Sequence, residues 1–222
     1  MYYKRLEMEF QNSSLSDNFP ASILDHIDEF IRSEISNGYQ YLNPYKFAHE
    51  YRISDEESLK IFLTFTDEDK LFFIDTFVDC FNCTGKKLKV STDEVKEEGF
   101  VICEDCNNEY KVNQLKKHIY LYFKLNSDIE LPKKQYIDTF DPHSTYEIMN
   151  KFNSSLKAES PSSFLDSKNE FTTIDTEGEY KKAASLDDII NNNKDSRGQI
   201  ISKSTLELSE SLMELLMTEE AS

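Results

Sequence analysis

The sequence predicts an α+β fold: a largely helical front part, one strand leading into a small cysteine-closed β ribbon, then a polar tail ending in a short helix. Three observations carry that expectation. Apolar residues recur at helical spacing from Ile23 to Leu63. All four cysteines fall in two Cys-x-x-Cys pairs beside short strand-like runs. Of the 16 Phe and 12 Tyr, only Phe164, Phe171 and Tyr180 lie beyond position 153.

Taken in order, Tyr2, Leu6, Met8 and Phe10 share one parity, which predicts a short N-terminal strand. After Pro20, the set Ile23, Leu24, Ile27, Phe30, Ile31 and Ile35 follows the i, i+3, i+4 rule, and Asn37-Gly38 stops the helix it predicts. Asn43-Pro44 supplies an N-cap with proline at N1, opening a short helix through Phe47, Ala48 and Tyr51. Arg52-Ile53 reads as a tight turn. Ser54 and Glu57 then form a capping box for a helix carrying Leu59, Phe62, Leu63 and Thr66 on one face. Asp67-Glu68-Asp69 breaks that helix, and Leu71 to Val78 reads as a strand that runs into Cys80. Helix, short helix, turn, helix, strand is the order of a winged helix-turn-helix.

The cysteines are Cys80, Cys83, Cys103 and Cys106, with nineteen residues between the pairs. Each pair can offer two thiolates from one tight knuckle, and two knuckles joined by a hairpin close a tetrahedral S₄ site. Lys86 to Val90 and Gly99 to Ile102 read as the hairpin strands around a turn at Asp93 to Glu98, with Tyr110 to Val112 and Ile119 to Leu125 adding further strands. The expected cofactor is one structural Zn²⁺, since four thiolates leave no position for water. Two disulfides would need an oxidising compartment, and a thioredoxin-like pair would stand alone beside a βαβ unit. An iron–sulfur cluster could also use four cysteines, but the two-knuckle spacing favours zinc.

Charge divides the chain. The 42 acidic and 25 basic side chains give a net −17, with −8 over residues 1–78, zero over 79–124 and −9 over 125–222. Such a balance disfavours nucleic acid and anionic membrane. No run of about 18 apolar residues exists to span a bilayer, and the first ten residues lack an apolar signal core, so the expected location is cytoplasmic. The second helix of the helix-turn-helix opens on Ser54-Asp55-Glu56-Glu57, which opposes entry into a phosphate-lined groove. Lys86, Lys87, Lys89, Lys116 and Lys117 form the candidate phosphate contacts, beside Asp93, Glu94, Glu97 and Glu98. The histidines 26, 49, 118 and 143 do not pair at metal-ligand spacing, and no phosphate loop or nucleophile elbow occurs. No catalytic set assembles, so the expectation is a protein that is not an enzyme.

Only 38% of residues are hydrophobic, against about 45–50% in ordinary globular chains. The deficit falls after position 153, where Ser, Asn, Lys and Asp dominate. The resulting division is an N-terminal strand and winged helix-turn-helix at 1–78, a zinc ribbon at 79–125, an extension with a short helix at 126–152, a disordered linker at 153–202 and an amphipathic helix at 203–219. In that last helix, Ser204 and Glu207 repeat the capping-box pattern, and Leu208, Leu212, Leu215 and Leu216 share a face. Those four leucines are the expected partner-binding residues; the alternative is that the helix folds back on its own domain. Tyr146 to Phe152 and Ser185 to Ile190 are lesser sticky islands.

The run Asn43-Pro-Tyr-Lys-Phe-Ala48, the capped helix from Ser54, the strand into Cys80 and the two cysteine pairs resemble the winged-helix plus zinc-ribbon modules of bacterial signalling and conflict-system proteins. The resemblance covers residues 43–125 and implies an accessory module coupled to a larger effector or sensor, with the four cysteines as zinc ligands. The same order resembles, more distantly, the TFE/TFIIE-alpha transcription factors, where an acidic tail follows the ribbon. The expected function is thus a non-enzymatic adaptor binding protein partners, in a setting such as antiviral defence. The alternative is a DNA-associated regulator.

Overall fold

A computed structural model describes residues 2–83, 87–91, 100–111, 115, 118–126, 129, 181 and 183–217. The fold is mixed α+β with a small antiparallel sheet. Its order is α1 (Tyr2–Gln11), α2 (Leu15–Asn18), α3 (Ile23–Ser36), β1 (Tyr41–Leu42), α4 (Pro44–Tyr51), α5 (Asp55–Thr64), β2 (Phe72–Asp79), β3 (Lys87–Val90), β4 (Phe100–Ile102), β5 (Glu109–Lys111), β6 (Ile119–Leu125), β7 (Ala184–Ser185), α6 (Leu186–Asn192) and α7 (Lys203–Met217).

The N-terminus corrects the expectation of a strand: Tyr2–Gln11 is a helix. Tyr2, Leu6 and Phe10 are buried, whereas Met8 is 59% exposed. Residues four apart share both strand parity and a helical face, so the even positions could not separate the two. What decides is the residue set: Lys, Arg, Leu, Glu and Met favour helix, and Arg5 bonds Glu9 one turn on at 3.1 Å.

The next elements follow their local signals. Gly38, at φ 84°, ends α3, and the Tyr39 amide reaches back to the Glu34 carbonyl at 3.0 Å. The Asn43 side chain accepts from the Tyr45 amide at 2.9 Å, with Pro44 at the first helical position. Arg52 turns the chain in the left-handed region (φ 56°), and the Ser54–Glu57 box opens α5 with both of its bonds in place. Lys46 and Glu34 form a buried ion pair that ties α4 to α3. Phe62 on α5 is the hub of the core. Its ring meets Phe30 of α3, Phe47 of α4, Phe72 of β2 and Phe123 of β6 at centroid distances of 5.3–6.2 Å.

The sheet runs β1-β6-β2-β3, with β7 pairing on the same strand, β6, as β1. β2 and β6 pair over their whole length, from Phe72 opposite Leu125 to Val78 opposite Ile119. Alternation sends Phe72, Val78, Leu88, Leu121 and Phe123 into the helical core. Tyr41, Phe77 and Tyr122 form a separate small cluster. The strands β3 and β6, expected in a separate ribbon, therefore complete the sheet that β2 begins. One core cluster spans Tyr2 to Leu216 and includes Val101, Cys103 and Tyr110, so position 78/79 does not separate two cores.

The tail brings two further corrections. Residues 183–202, expected as disordered linker, are ordered: Ala184 and Ser185 pair with Leu121 and Tyr120 of β6. Ser185 and Asp188 form a capping box that opens α6, whose Leu186 and Ile189 are buried. The helix α7, expected to offer Leu208, Leu212, Leu215 and Leu216 to a partner, packs on its own domain. Leu212 (0% exposed) and Leu216 (7%) are part of the core, and Leu208 and Leu215 pack against it half-buried. Position 212 lies three and four residues from its neighbours 208, 215 and 216, so the face that suits a groove suits the domain's own helices equally well. The extension at 126–152, apart from Asn126 and Ile129, lies outside the described residues, as do the linker to 180, Lys86, the turn at 93–98, Lys116, Lys117 and His143.

The start of α7 is held from far away in the chain. Ser202, not Ser204, is its N-cap: its hydroxyl accepts from the Thr205 amide at 3.2 Å, and its backbone pairs with the Asn193 side chain at 2.8 Å in both directions. Asp67 accepts from the Ser204 amide and hydroxyl, each at 3.0 Å. Burial would raise the Asp67 carboxyl, but the Ser204 and Lys70 hydrogen bonds outweigh it and hold the group below its ordinary range. A lowered carboxyl contributes stability above its unfolded value, near pH 4, and loses it as pH falls through the folded value. Asp67→Ala is expected to cost about 1 kcal/mol in a urea titration at pH 7, with faster amide exchange at the start of α7. The difference from wild type should shrink as pH falls below about 4 toward the lowered folded value; an equal deficit at pH 3 would count against this cap.

Candidate metal centre

Both cysteine knuckles sit at strand ends. β2 ends at Asp79 and delivers Cys80 directly; the connection to β3 carries Cys83. β4 delivers Cys103, and β5 follows Cys106 after the turn at Asn107. Asn107 takes the left-handed region (φ 54°), which asparagine tolerates better than most residues, and its amide closes on the Cys103 carbonyl at 2.7 Å. The Cys103 amide in turn donates to the Asn108 carbonyl at 2.9 Å.

The four sulfurs lie within 4.8 Å of one another. Cys80 and Cys106 are 3.7 Å apart, Cys83 and Cys103 4.0 Å. These are not disulfide distances, which are about 2.05 Å; all four thiols are free. A tetrahedral ion with metal–sulfur bonds of about 2.3 Å needs sulfur–sulfur edges of about 3.8 Å. The donor set therefore fits one tetrahedral metal ion. Two members of the set, Cys80 and Cys103, are buried, and the other two are half-buried.

The sulfurs are electrically inequivalent. Burial opposes ionisation of Cys80, but the Tyr110 hydroxyl and the amides of Cys83 and Asn82 outweigh it and push the thiol down to about 6. The neighbouring Cys106 sulfur, burial and the other two sulfurs push Cys83 up to about 12. The Asn108 amide leads in holding Cys106 below its ordinary range. For Cys103, the Cys106 amide pulls the other way, yet burial and the adjoining sulfurs leave it raised. Negative charge crowded at this spacing is costly without a cation, which a divalent ion supplies.

The remaining sequence candidates are placed as follows. His26 stacks on Tyr51 at 4.7 Å and His118 meets the edge of Phe81 at 4.7 Å; neither belongs to the metal-ligand group, and the four cysteines are the only such group among the described residues. Lys87 pairs with Asp79 at 2.5 Å and lies over the Tyr120 ring, and Lys89 pairs with Asp75 at 2.7 Å. Of the acidic run at 67–69, Asp67 serves the α7 cap described above. A polar groove of about 420 Å³ opens between the α1–α2 turn and the loop at 195–201, lined by Gln11, Ser13, Asp17, Asp195 and Arg197 among others. It holds no histidine and no cysteine.

Sequence reasoning missed Tyr110, whose hydroxyl lies 3.1 Å from the Cys80 sulfur, and Phe81, which stands 53% exposed on the first knuckle. Phe81 packs edge-on against Tyr110 at 5.2 Å. The signal for Tyr110 was its place on β5, where it pairs with Val101 two residues before Cys103. No helix among the described residues is long and apolar enough to cross a membrane. No family model, no curated protein and no solved structure matches the chain.

Proposed function

We propose that this protein is a non-enzymatic adaptor whose winged-helix and ribbon core holds one structural Zn²⁺ at Cys80, Cys83, Cys103 and Cys106 and docks a larger protein partner. The observation that carries this reading is the all-thiolate donor set: four sulfurs at tetrahedral spacing fill the coordination sphere, leaving no site for water or substrate. Such a centre contributes folding energy to strands with a thin core rather than chemistry. The order α3, α4, α5 followed by the β2–β3 antiparallel pair supports the winged-helix reading. Two features weigh against DNA. The start of α5 is acidic, and Lys87 and Lys89, the described members of the basic patch, are spent on Asp79 and Asp75.

Docking falls to the first knuckle rather than to α7, whose leucines belong to the core. Phe81 is exposed yet held against Tyr110 and His118, which is the profile of a pre-ordered aromatic anchor. The test compares wild type with Phe81→Ser in nuclease-treated pull-downs from the native host, with zinc content and thermal midpoint measured on both chains. The expected result is one defined protein, retained at high salt by wild type and lost by a variant that keeps its zinc. Recovery that requires nucleic acid and falls steeply with salt would transfer the assignment to a DNA-associated regulator.

A further inference from the structure

We propose that Tyr110 is a positioning residue of the metal centre: its phenol donates a hydrogen bond to the Cys80 thiolate, ties the two knuckles together and strengthens metal retention. The inference rests on the reading of the four cysteines as a zinc site. The phenol oxygen is 3.1 Å from the Cys80 sulfur, and the residue is buried, 8% exposed. A buried phenol needs a partner, and its partner here is a ligand sulfur. The bond is also topologically specific. Cys80 belongs to the first knuckle, whereas Tyr110 belongs to β5, which follows the second. It therefore links the two halves of the site independently of any metal.

Two physical effects follow. A Zn²⁺ with four thiolates carries a net charge of −2, inside a chain whose formal charge is already −17. Donors aimed at sulfur spread that charge. Cys80 receives two of them, the Cys83 amide at 3.2 Å and the Tyr110 hydroxyl. Donation draws electron density from the sulfur and so disperses part of the charge that the site concentrates. The second effect is geometric. The phenol fixes the direction of the Cys80 side chain before the ion arrives, so less ordering remains to be done on binding. Phe81 meets the phenol ring edge-on at 5.2 Å.

The test is Tyr110→Phe, which keeps the ring and removes only the hydroxyl. Zn²⁺ affinity is measured by competition with a chromophoric chelator, and the Co²⁺-substituted chain is recorded optically. Loss of an outer-shell partner typically weakens metal affinity about 10–100-fold, and a loss of at least tenfold is expected here. The sulfur-to-cobalt charge-transfer band should move to lower energy while the tetrahedral ligand-field bands keep their pattern. That shift reports the sulfur's electron density, which a purely packing role would leave unchanged. Tyr110→Phe with wild-type affinity and charge-transfer band would overturn the proposal while leaving the zinc reading intact. A wild-type chain that binds neither ion would overturn the centre itself, and the role of Tyr110 with it.

Discussion

Cys103→Ser is expected to empty the metal centre and unfold the hairpin built on it. Cys103 is fully buried within the main core, and its backbone closes the second knuckle through Asn107 and Asn108. A serine hydroxyl is not ionised at neutral pH and is a poor replacement for a thiolate ligand. The apparent binding energy of a structural zinc in small domains is about 10–16 kcal/mol. Only part of it couples to a fold that also has a sheet and helices, so a loss of about 5 kcal/mol is a reasonable scale. For a chain of this length that lowers the thermal midpoint by roughly 10–20 °C. Zinc content should fall from one ion per chain to near zero. A strong chelator should lower the midpoint of wild type by a similar amount and leave the variant unmoved. A wild type purified without metal, with the same midpoint in chelator, would sink the assignment of these cysteines.

The second large effect lies at the other end of the chain. Leu212→Ala is expected to cost about 2–5 kcal/mol, the range for truncating a fully buried leucine in a packed core, and removal of residues 203–217 should cost more. Leu212 is completely enclosed, with Leu216 beside it and Leu208, Met213 and Leu215 packed around the same cluster. Urea unfolding at neutral pH measures it. Were the helix a ligand held free for a partner, Leu212→Ala would leave unfolding unchanged and abolish only the partner contact. The structure makes the opposite expectation, since the leucine face has already found its groove inside the chain.

Much of the candidate centre was legible from spacing alone. Two Cys-x-x-Cys pairs nineteen residues apart bring four sulfurs together, and the strands expected beside them are present, but β3 pairs with β2 and β4 with β5 rather than with each other as the expected hairpin. The helices α3, α4 and α5 were legible for a similar reason: Gly38, Asn43-Pro44 and the Ser54–Glu57 box act within a few residues of themselves. The first helix was misread because Tyr2, Leu6 and Phe10 satisfy two periods at once. The stretch 183–202 was misread because its mean composition is polar, while only Ala184, Leu186 and Ile189 need to be buried to dock it.

By itself the sequence determined the local units: where three central helices begin and end, which residues face inward, and that four thiols converge on one ion-sized space. The tertiary structure alone decided that β3 and β6 complete the sheet begun by β2, that α7 belongs to the core, that Asp67 caps a helix 137 positions later, and that Tyr110 meets Cys80. The physical reason is range. Caps, periods and knuckles are short-range interactions whose partners lie within a turn or a hairpin. An apolar face, a spare carboxylate or a buried phenol states only what kind of partner it requires, and distance along the chain carries no information about which one the fold supplies.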